Sequence, residues 1–178
     1  GFVLLGGSYY KAAEYASRLL QIINLIILVA VFFSLVWLLR FERPGRRHVV
    51  LAVGAHPDDI EFGCGAALLR YREEGCTTYG LVLSAGEQGG GEFSERADEA
   101  RRSARVIALT DITVLDFPDT RLHTRKEEIR GAIEEKMSEL QPDIVFTHTA
   151  IDVHTDHKTA FEATREAARR ACTILCYE

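Results

Sequence analysis

The chain has 178 residues, 47% of them hydrophobic, enough to bury the core of one domain and leave an appendage over. Its 21 Lys and Arg against 26 Asp and Glu give a net charge of −5, unevenly spread: residues 1–47 carry a net +4, and the rest of the chain a net −9. An acidic domain without a basic stripe repels a phosphate backbone, which argues against nucleic acid as a partner, whereas basic residues beside an apolar segment point to a lipid surface. The four cysteines, Cys64, Cys76, Cys172 and Cys176, form neither a C-x-x-C pair nor a zinc-knuckle spacing and read as small buried hydrophobes. The sequence opens on Gly1 and stops at Glu178, directly after an expected strand, so both ends read as cut.

Residues 1–18 form an N-terminal flank. From Leu19 to Leu39 no residue is charged, and at about 1.5 Å per residue this run spans about 31 Å, the thickness of a bilayer core. Arg18 and Arg40 bracket it, Tyr9, Tyr10 and Tyr15 precede it and Trp37 lies near its end, as interfacial anchors would. The run is long for the apolar core of a signal peptide, and Arg-Phe-Glu-Arg-Pro follows it in place of a small-residue cleavage site. A single transmembrane helix over 19–39 is therefore expected. Four arginines follow it and two basic residues precede it, which predicts a single-pass membrane protein with its domain in the cytoplasm.

Residues 40–47 read as a basic linker carrying Pro44 and Gly45. Beyond it, strands are predicted at 48–55, 77–84, 111–117, 143–148 and 172–177, and helices at 61–74, 95–108, 125–140 and 157–171. Thr124 and Glu127 are expected to form a capping box at the start of the third helix. Apolar strands alternating with amphipathic helices predict an α/β fold: a Rossmann-like, mainly parallel sheet with helices on both faces, preceded by the transmembrane helix. Such sheets bind ligands at the C-terminal ends of their strands, so chemistry is expected just after 55, 84, 117 and 148.

Two of those places carry metal-binding residue types. Ala55-His56-Pro57-Asp58-Asp59 ends the first strand, and His154-Thr155-Asp156-His157 opens the last helix. Histidine with carboxylate suits a borderline cation such as zinc, and three protein ligands with one open position define a hydrolytic site. Adjacent Asp58 and Asp59 on a turn point in different directions, so one can bind metal while the other faces water. His154 and His157, three apart at a helix start, share a face, which leaves one for metal and one for substrate. The loop Gly86-Glu87-Gln88-Gly89-Gly90-Gly91 lacks the Lys-Ser/Thr of a P-loop and reads as a lid beside the metal. His148 ends a strand near the site and is expected to be structural; His48 and His123 are unassigned.

AHPDD, followed by Glu61-Phe62-Gly63-Cys64-Gly65 and later by HTDH, resembles the PIG-L/LmbE-like family of zinc-dependent N-acetylglucosaminyl deacetylases over about residues 48–178. Ser84 to Gly89, Arg96-x-x-Glu99, Phe117-Pro118-Asp119 and the closing Tyr177-Glu178 add to the likeness. The resemblance implies that His56, Asp59 and His157 bind Zn2+, that Asp58 is the general base, that a protonated His154 meets the developing oxyanion and that Asp156 orients a histidine. Arg96 and Glu87 are the candidates for substrate contact. It further implies an N-acetylglucosaminyl substrate, soluble or a glycolipid such as GlcNAc-phosphatidylinositol, and a domain that runs on past the Tyr-Glu strand. The metal cluster by itself would also permit hydrolysis of another amide or a phosphoester, or a non-catalytic membrane-anchored sugar-binding module.

Overall fold

The computed structural model describes residues 3–40, 48–90, 92–168 and 172–178, in two compact units, 1–45 and 46–178. Residues 41–47 of the expected linker, Gly91 of the glycine loop and 169–171 of the last expected helix lie outside the described residues, as do the side chains of Tyr9 and Trp37.

The described residues of the first unit form one helix, α1 (Val3–Arg40), with an Arg18–Glu14 ion pair of 2.7 Å one turn apart. Its stretch Ala13–Val36 is long and apolar enough to cross a bilayer by length and composition. Taken by itself, this helix has every described large apolar side chain from Leu19 to Leu35 exposed to solvent. The expected span 19–39 thus falls within a longer helix.

The second unit is built on five strands, β1 (Val49–Gly54), β2 (Thr77–Val82), β3 (Asp111–Val114), β4 (Ile144–His148) and β5 (Thr173–Tyr177). All described pairings are parallel, in the order β3-β2-β1-β4-β5. Four helices intervene: α2 (Asp59–Glu73), α3 (Phe93–Val106), α4 (Lys126–Leu140) and α5 (Thr155–Ala167). Successive residues of β1 point to opposite faces. Val50 and Ala52 pack with Ile60, Cys64 and Leu68 of α2, whereas Leu51 and Val53 pack with Ile129 and Ile133 of α4. Each fully buried Leu or Ile contributes about 1.5–3 kcal/mol, so both faces of the sheet are closed by hydrophobic burial.

Strand ends fall short of the sequence expectation, yet the ladders continue: Leu83 N and Ser84 N donate to Gly54 O and Ala55 O, and Phe117 N donates to Leu83 O. The capping box at 124–127 does not form. Leu122–Arg125 is a 3-10 turn in which Thr124 Oγ1 donates to Arg121 O at 2.8 Å, and Glu127 pairs instead with Arg130. The extra turn takes the place where a cap would stand, so α4 begins at Lys126 without one. Helices α2, α3 and α5 each start two residues earlier than predicted, which places Asp59 at the first helical position.

Strand order fixes where a ligand can sit. The chain runs one way from β1 through β2 to β3 and the other way from β4 to β5, so the connections after β1 and β4 leave the sheet in opposite directions and open a crevice between them.

Candidate metal centre and catalytic cleft

Both His/Asp clusters end in that crevice, β1 delivering His56 to Asp59 and the β4–α5 loop delivering Asp152 to His157. His56, Asp59 and His157 each offer a donor atom within 4.8 Å of the others. Two further groups overlap this one, His56 with His154 and Asp156, and His148 with Asp152 and His157.

His157 and Asp59 each have one atom held from behind and another facing the common centre. His157 Nδ1 lies 2.8 Å from Asp152 Oδ2, leaving Nε2 3.4 Å from Asp59 Oδ1. Asp59 Oδ2 accepts from His56 N at 2.7 Å and lies 3.1 Å from His148 Nε2. His56 Nδ1 is 3.6 Å from Asp59 Oδ2, while its Nε2 is 3.1 Å from Asp119 Oδ1 and 3.4 Å from Asp156 Oδ2. Carboxylates behind imidazoles fix tautomer and ring orientation in metal sites. Two imidazoles and one carboxylate around a shared gap also form the donor set that suits zinc. Among the described residues, buried His56 Nε2 and Asp156 Oδ2 have no hydrogen-bond partner, which leaves them donor atoms for a bound group. The residues present fit a divalent ion.

The charges act strongly on one another. Burial would raise the Asp59 carboxyl, but hydrogen bonds from His148, His157 and His56 outweigh it and hold Asp59 far below the usual carboxylate range. Burial would lower His157; hydrogen bonds and charges of Asp59 and Asp152 overcome it and raise the imidazole to about 9. His56 is raised in the same way, desolvation being outweighed by Asp59, Asp119 and Asp156. His148 goes the other way, since its burial prevails over Asp59. Ala55 N donates to His148 Nε2 at 3.1 Å, the nitrogen that also approaches Asp59. One nitrogen cannot serve both at once: unprotonated it accepts from Ala55, protonated it donates to Asp59.

His154 is the N-cap of α5, exposed, with its ring centroid 4.6 Å from His157 and 5.2 Å from His56. Its Nδ1 accepts from Asp156 N at 3.2 Å. Asp156 is fully buried, with Oδ1 accepting from Leu122 N and Oδ2 facing His56.

Asp58 is exposed at the N-cap of α2, makes no side-chain capping bond, and lines a cavity of about 260 Å3 together with Arg96. Arg96 Nε donates to Ala85 O at 3.3 Å and its guanidinium pairs with Glu99 at 3.3 Å. Gly86, at φ 71°, allows this approach: a Cβ there would lie 3.3 Å from the guanidinium. Glu87 uses both carboxylate oxygens within the protein, accepting from Asp119 N at 2.9 Å and from Ser84 Oγ at 3.2 Å. Gln88 N donates to Asp119 Oδ2 in return. The loop read as a lid is therefore braced against the loop after β3.

Sequence reasoning gave no chemical role to Asp119 and Asp152, and treated His148 as structural. Asp119 was visible only within Phe-Pro-Asp after a strand, and no local spacing marks Asp152 as the partner of a histidine on the next helix. The signal available for His148 was its place at the C-terminal end of β4.

The PIG-L family, described as GlcNAc-PI de-N-acetylase, matches residues 51–168. An Escherichia coli K12 protein described as an uncharacterized deacetylase, YaiS, is 33% identical over 138 residues, covering 75% of this chain and 75% of its own. The diacetylchitobiose deacetylase of Thermococcus kodakarensis is 32% identical over 123 residues, 62% of this chain and 45% of that protein. Among solved structures, the conserved protein TT1542 from Thermus thermophilus superposes with a TM-score of 0.65 at 32% identity, over 72% of this chain and 64% of that one. The chain thus spans less than two thirds of the Thermococcus and Thermus proteins.

Proposed function

This chain belongs to the PIG-L family, and on that premise we propose that it is a zinc-dependent deacetylase, hydrolysing the N-acetyl group of an N-acetylglucosamine-containing substrate to a free amine and acetate. The observation that carries the reading is the meeting of His56, Asp59 and His157 within 4.8 Å, one residue from the exposed carboxylate of Asp58, which makes no capping bond.

His56, Asp59 and His157 would hold the ion, which when bound supplies Lewis acidity to a water and to the acetamide carbonyl. Asp58 takes the proton of that water as it attacks, a contribution of about 10²–10⁴ in rate for a positioned base. The Nε2–H of His154 donates to the carbonyl oxygen as negative charge develops there. A donor of this kind is worth about 10²–10³ in turnover because it acts where water is excluded. Asp58 then returns the proton to the departing nitrogen. Asp152 holds His157, and Asp119 and Asp156 flank His56. Arg96 reaches the substrate from the wall shared with Asp58, and Glu87 serves substrate binding through the loop it braces.

The apolar stretch of α1 supports a membrane-tethered enzyme, with the arginines after it favouring a cytoplasmic domain, where a glycolipid such as GlcNAc-phosphatidylinositol is in reach. The test is acetate release by the zinc-loaded chain from GlcNAc-phosphatidylinositol beside soluble GlcNAc conjugates. Turnover of a phosphoester or of a non-sugar amide with none of these substrates would favour the other hydrolases. Sugar binding without any turnover would favour a binding module.

A further inference from the structure

The sequence points to Glu87 as a substrate contact, yet both of its carboxylate oxygens are used within the protein. Oε1 accepts from Asp119 N at 2.9 Å and Oε2 from Ser84 Oγ at 3.2 Å. Ser84 is fully buried; its Oγ also accepts from Gly86 N, and its own N–H donates to Ala55 O at 2.9 Å, one residue before His56. The side chain of Glu87 is thus anchored at the strand ends and reaches across to the loop after β3.

Asp119 is a residue that needs such a hold. Phe117 N donates to Leu83 O at 3.1 Å; beyond it the chain turns, with Arg121 N donating to Pro118 O at 3.2 Å across Asp119 and Thr120. Thr120 sits at φ 63°, in the left-handed region that this corner of a turn usually gives to glycine and that a β-branched side chain resists. A strained turn of this kind persists only where its surroundings restrain it. Two restraints come from adjacent residues of one loop. Glu87 takes the main-chain N–H of Asp119, and Gln88 N donates to Asp119 Oδ2 at 3.0 Å. With the main chain and one carboxylate oxygen fixed, the other, Oδ1, stands 3.1 Å from His56 Nε2 on a residue only 6% exposed. Negative charge at that place favours a cation held by His56, the more so where little water screens it.

We propose that Glu87 is a positioning residue: acting through Asp119, it fixes a negative charge beside His56 and so strengthens the binding of a divalent cation, without touching the ion itself. The task of Glu87 is to accept the Asp119 N–H, which an amide oxygen can also do, while the Ser84 hydroxyl can turn to accept from the amide NH2. The inference rests on the reading of His56, Asp59 and His157 as ion ligands and is independent of the substrate.

The experiment uses the full chain in detergent, stripped of metal. Zinc affinity is measured by competition with a chromogenic chelator, and nitrogen-15 spectra report the ring of His56. Asp119→Ala should weaken zinc binding by about 10–100-fold, as loss of a group beside a metal-binding histidine does. Glu87→Ala should weaken it by about three- to tenfold, the worth of one hydrogen bond, since Gln88 N–H remains as the second restraint. Glu87→Gln should stay within about twofold of the parent, because it keeps the acceptor. Adding Glu87→Ala to Asp119→Ala should cost less than about twofold more, since the effect of Glu87 runs through that carboxylate. In the metal-free chain the His56 ring signals should move in Glu87→Ala in the same direction as in Asp119→Ala. Additive losses in the double variant, a Glu87→Gln as weak as Glu87→Ala, or a loss in Glu87→Ala below about threefold overturns the proposal. Glu87 is exposed, and thermal denaturation of the metal-free chain verifies that its variants fold. Should Glu87→Ala fail to fold, Glu87→Ser, whose hydroxyl stops short of Asp119 N, takes its place with the same expected loss. Zinc binding unchanged in His56→Ala would remove His56 from the ligand set. The nitrogen-15 comparison needs no ion and then decides the positioning alone: a shared shift supports the hold on Asp119, and an unmoved His56 in Glu87→Ala overturns it.

Discussion

Replacing Asp152 by Asn tests whether the candidate ligands are held from behind. The carboxylate bridges two groups, His157 Nδ1 at 2.8 Å and the backbone N–H of His154 at 2.8 Å. For His157 to present a bare Nε2 to the centre, its proton must sit on Nδ1, and Asp152 is what holds it there. An amide has one acceptor where the carboxylate has two. With its oxygen toward His154 N–H, the amide NH2 faces Nδ1 and selects the tautomer protonated on Nε2, which blocks the ligand. With its oxygen toward Nδ1–H, the NH2 opposes His154 N–H and the loop loses its bond. Either orientation forfeits one charge-assisted hydrogen bond, worth about 1.5–3 kcal/mol. That agrees with the roughly 10–100-fold loss of affinity seen when the partner of a metal-binding histidine is removed, about 1.4–2.8 kcal/mol. Zinc affinity should be measured by competition with a chromogenic chelator, with nitrogen-15 spectra of His157 reporting the tautomer and thermal denaturation of the metal-free protein showing that the fold persists. Zinc binding within twofold of the parent, alongside loss of zinc in His157→Ala, would refute the reasoning.

Asp58→Ala should remove most turnover while zinc content stays near the parent's, whereas Asp59→Ala should lose zinc; equal loss in both would show the pair misassigned. In the metal-free protein His157 titrates near 9 against an ordinary value of 6.5, so the stability it contributes is complete below pH 6.5 and lost as pH rises through 9. The same proton must leave before zinc binds, so apparent zinc affinity should climb by up to about tenfold per pH unit between pH 7 and 9 and then level off; a flat profile in calorimetry would contradict this. Gly63→Ala would place a Cβ 2.1 Å from the Tyr177 ring, which donates its hydroxyl to Val53 O at 2.8 Å. Displacing that ring should cost about 2 kcal/mol or more, read as a lower midpoint in urea at constant slope. The full chain should remain with membranes after carbonate extraction, and its domain should be open to protease in sealed vesicles with the cytoplasmic side out; release by carbonate, or protection from protease, would count against the tether or its orientation.

The sequence by itself determined the alternation of strands and helices, the apolar stretch within α1 and the two places where His and Asp gather. These are local properties. The period of apolar residues, the absence of charge over a span and the polar residues at a strand end are set within a few positions of one another, and the parallel-sheet rule carries them to the strand C-termini. The tertiary structure decided everything that depends on pairing across distance. Only the strand order puts the end of β1 beside the end of β4, bringing Ala55 and His148 into a hydrogen bond although 93 residues separate them. Only the packed loops show that Asp119 and Asp156 flank His56, that Asp152 holds His157, and that Glu87 braces a loop 32 residues away. The expected cap at Thr124 likewise gave way to a 3-10 turn. Which nitrogen or oxygen faces which partner follows from three-dimensional convergence, and residue spacing along the chain carries no information about that.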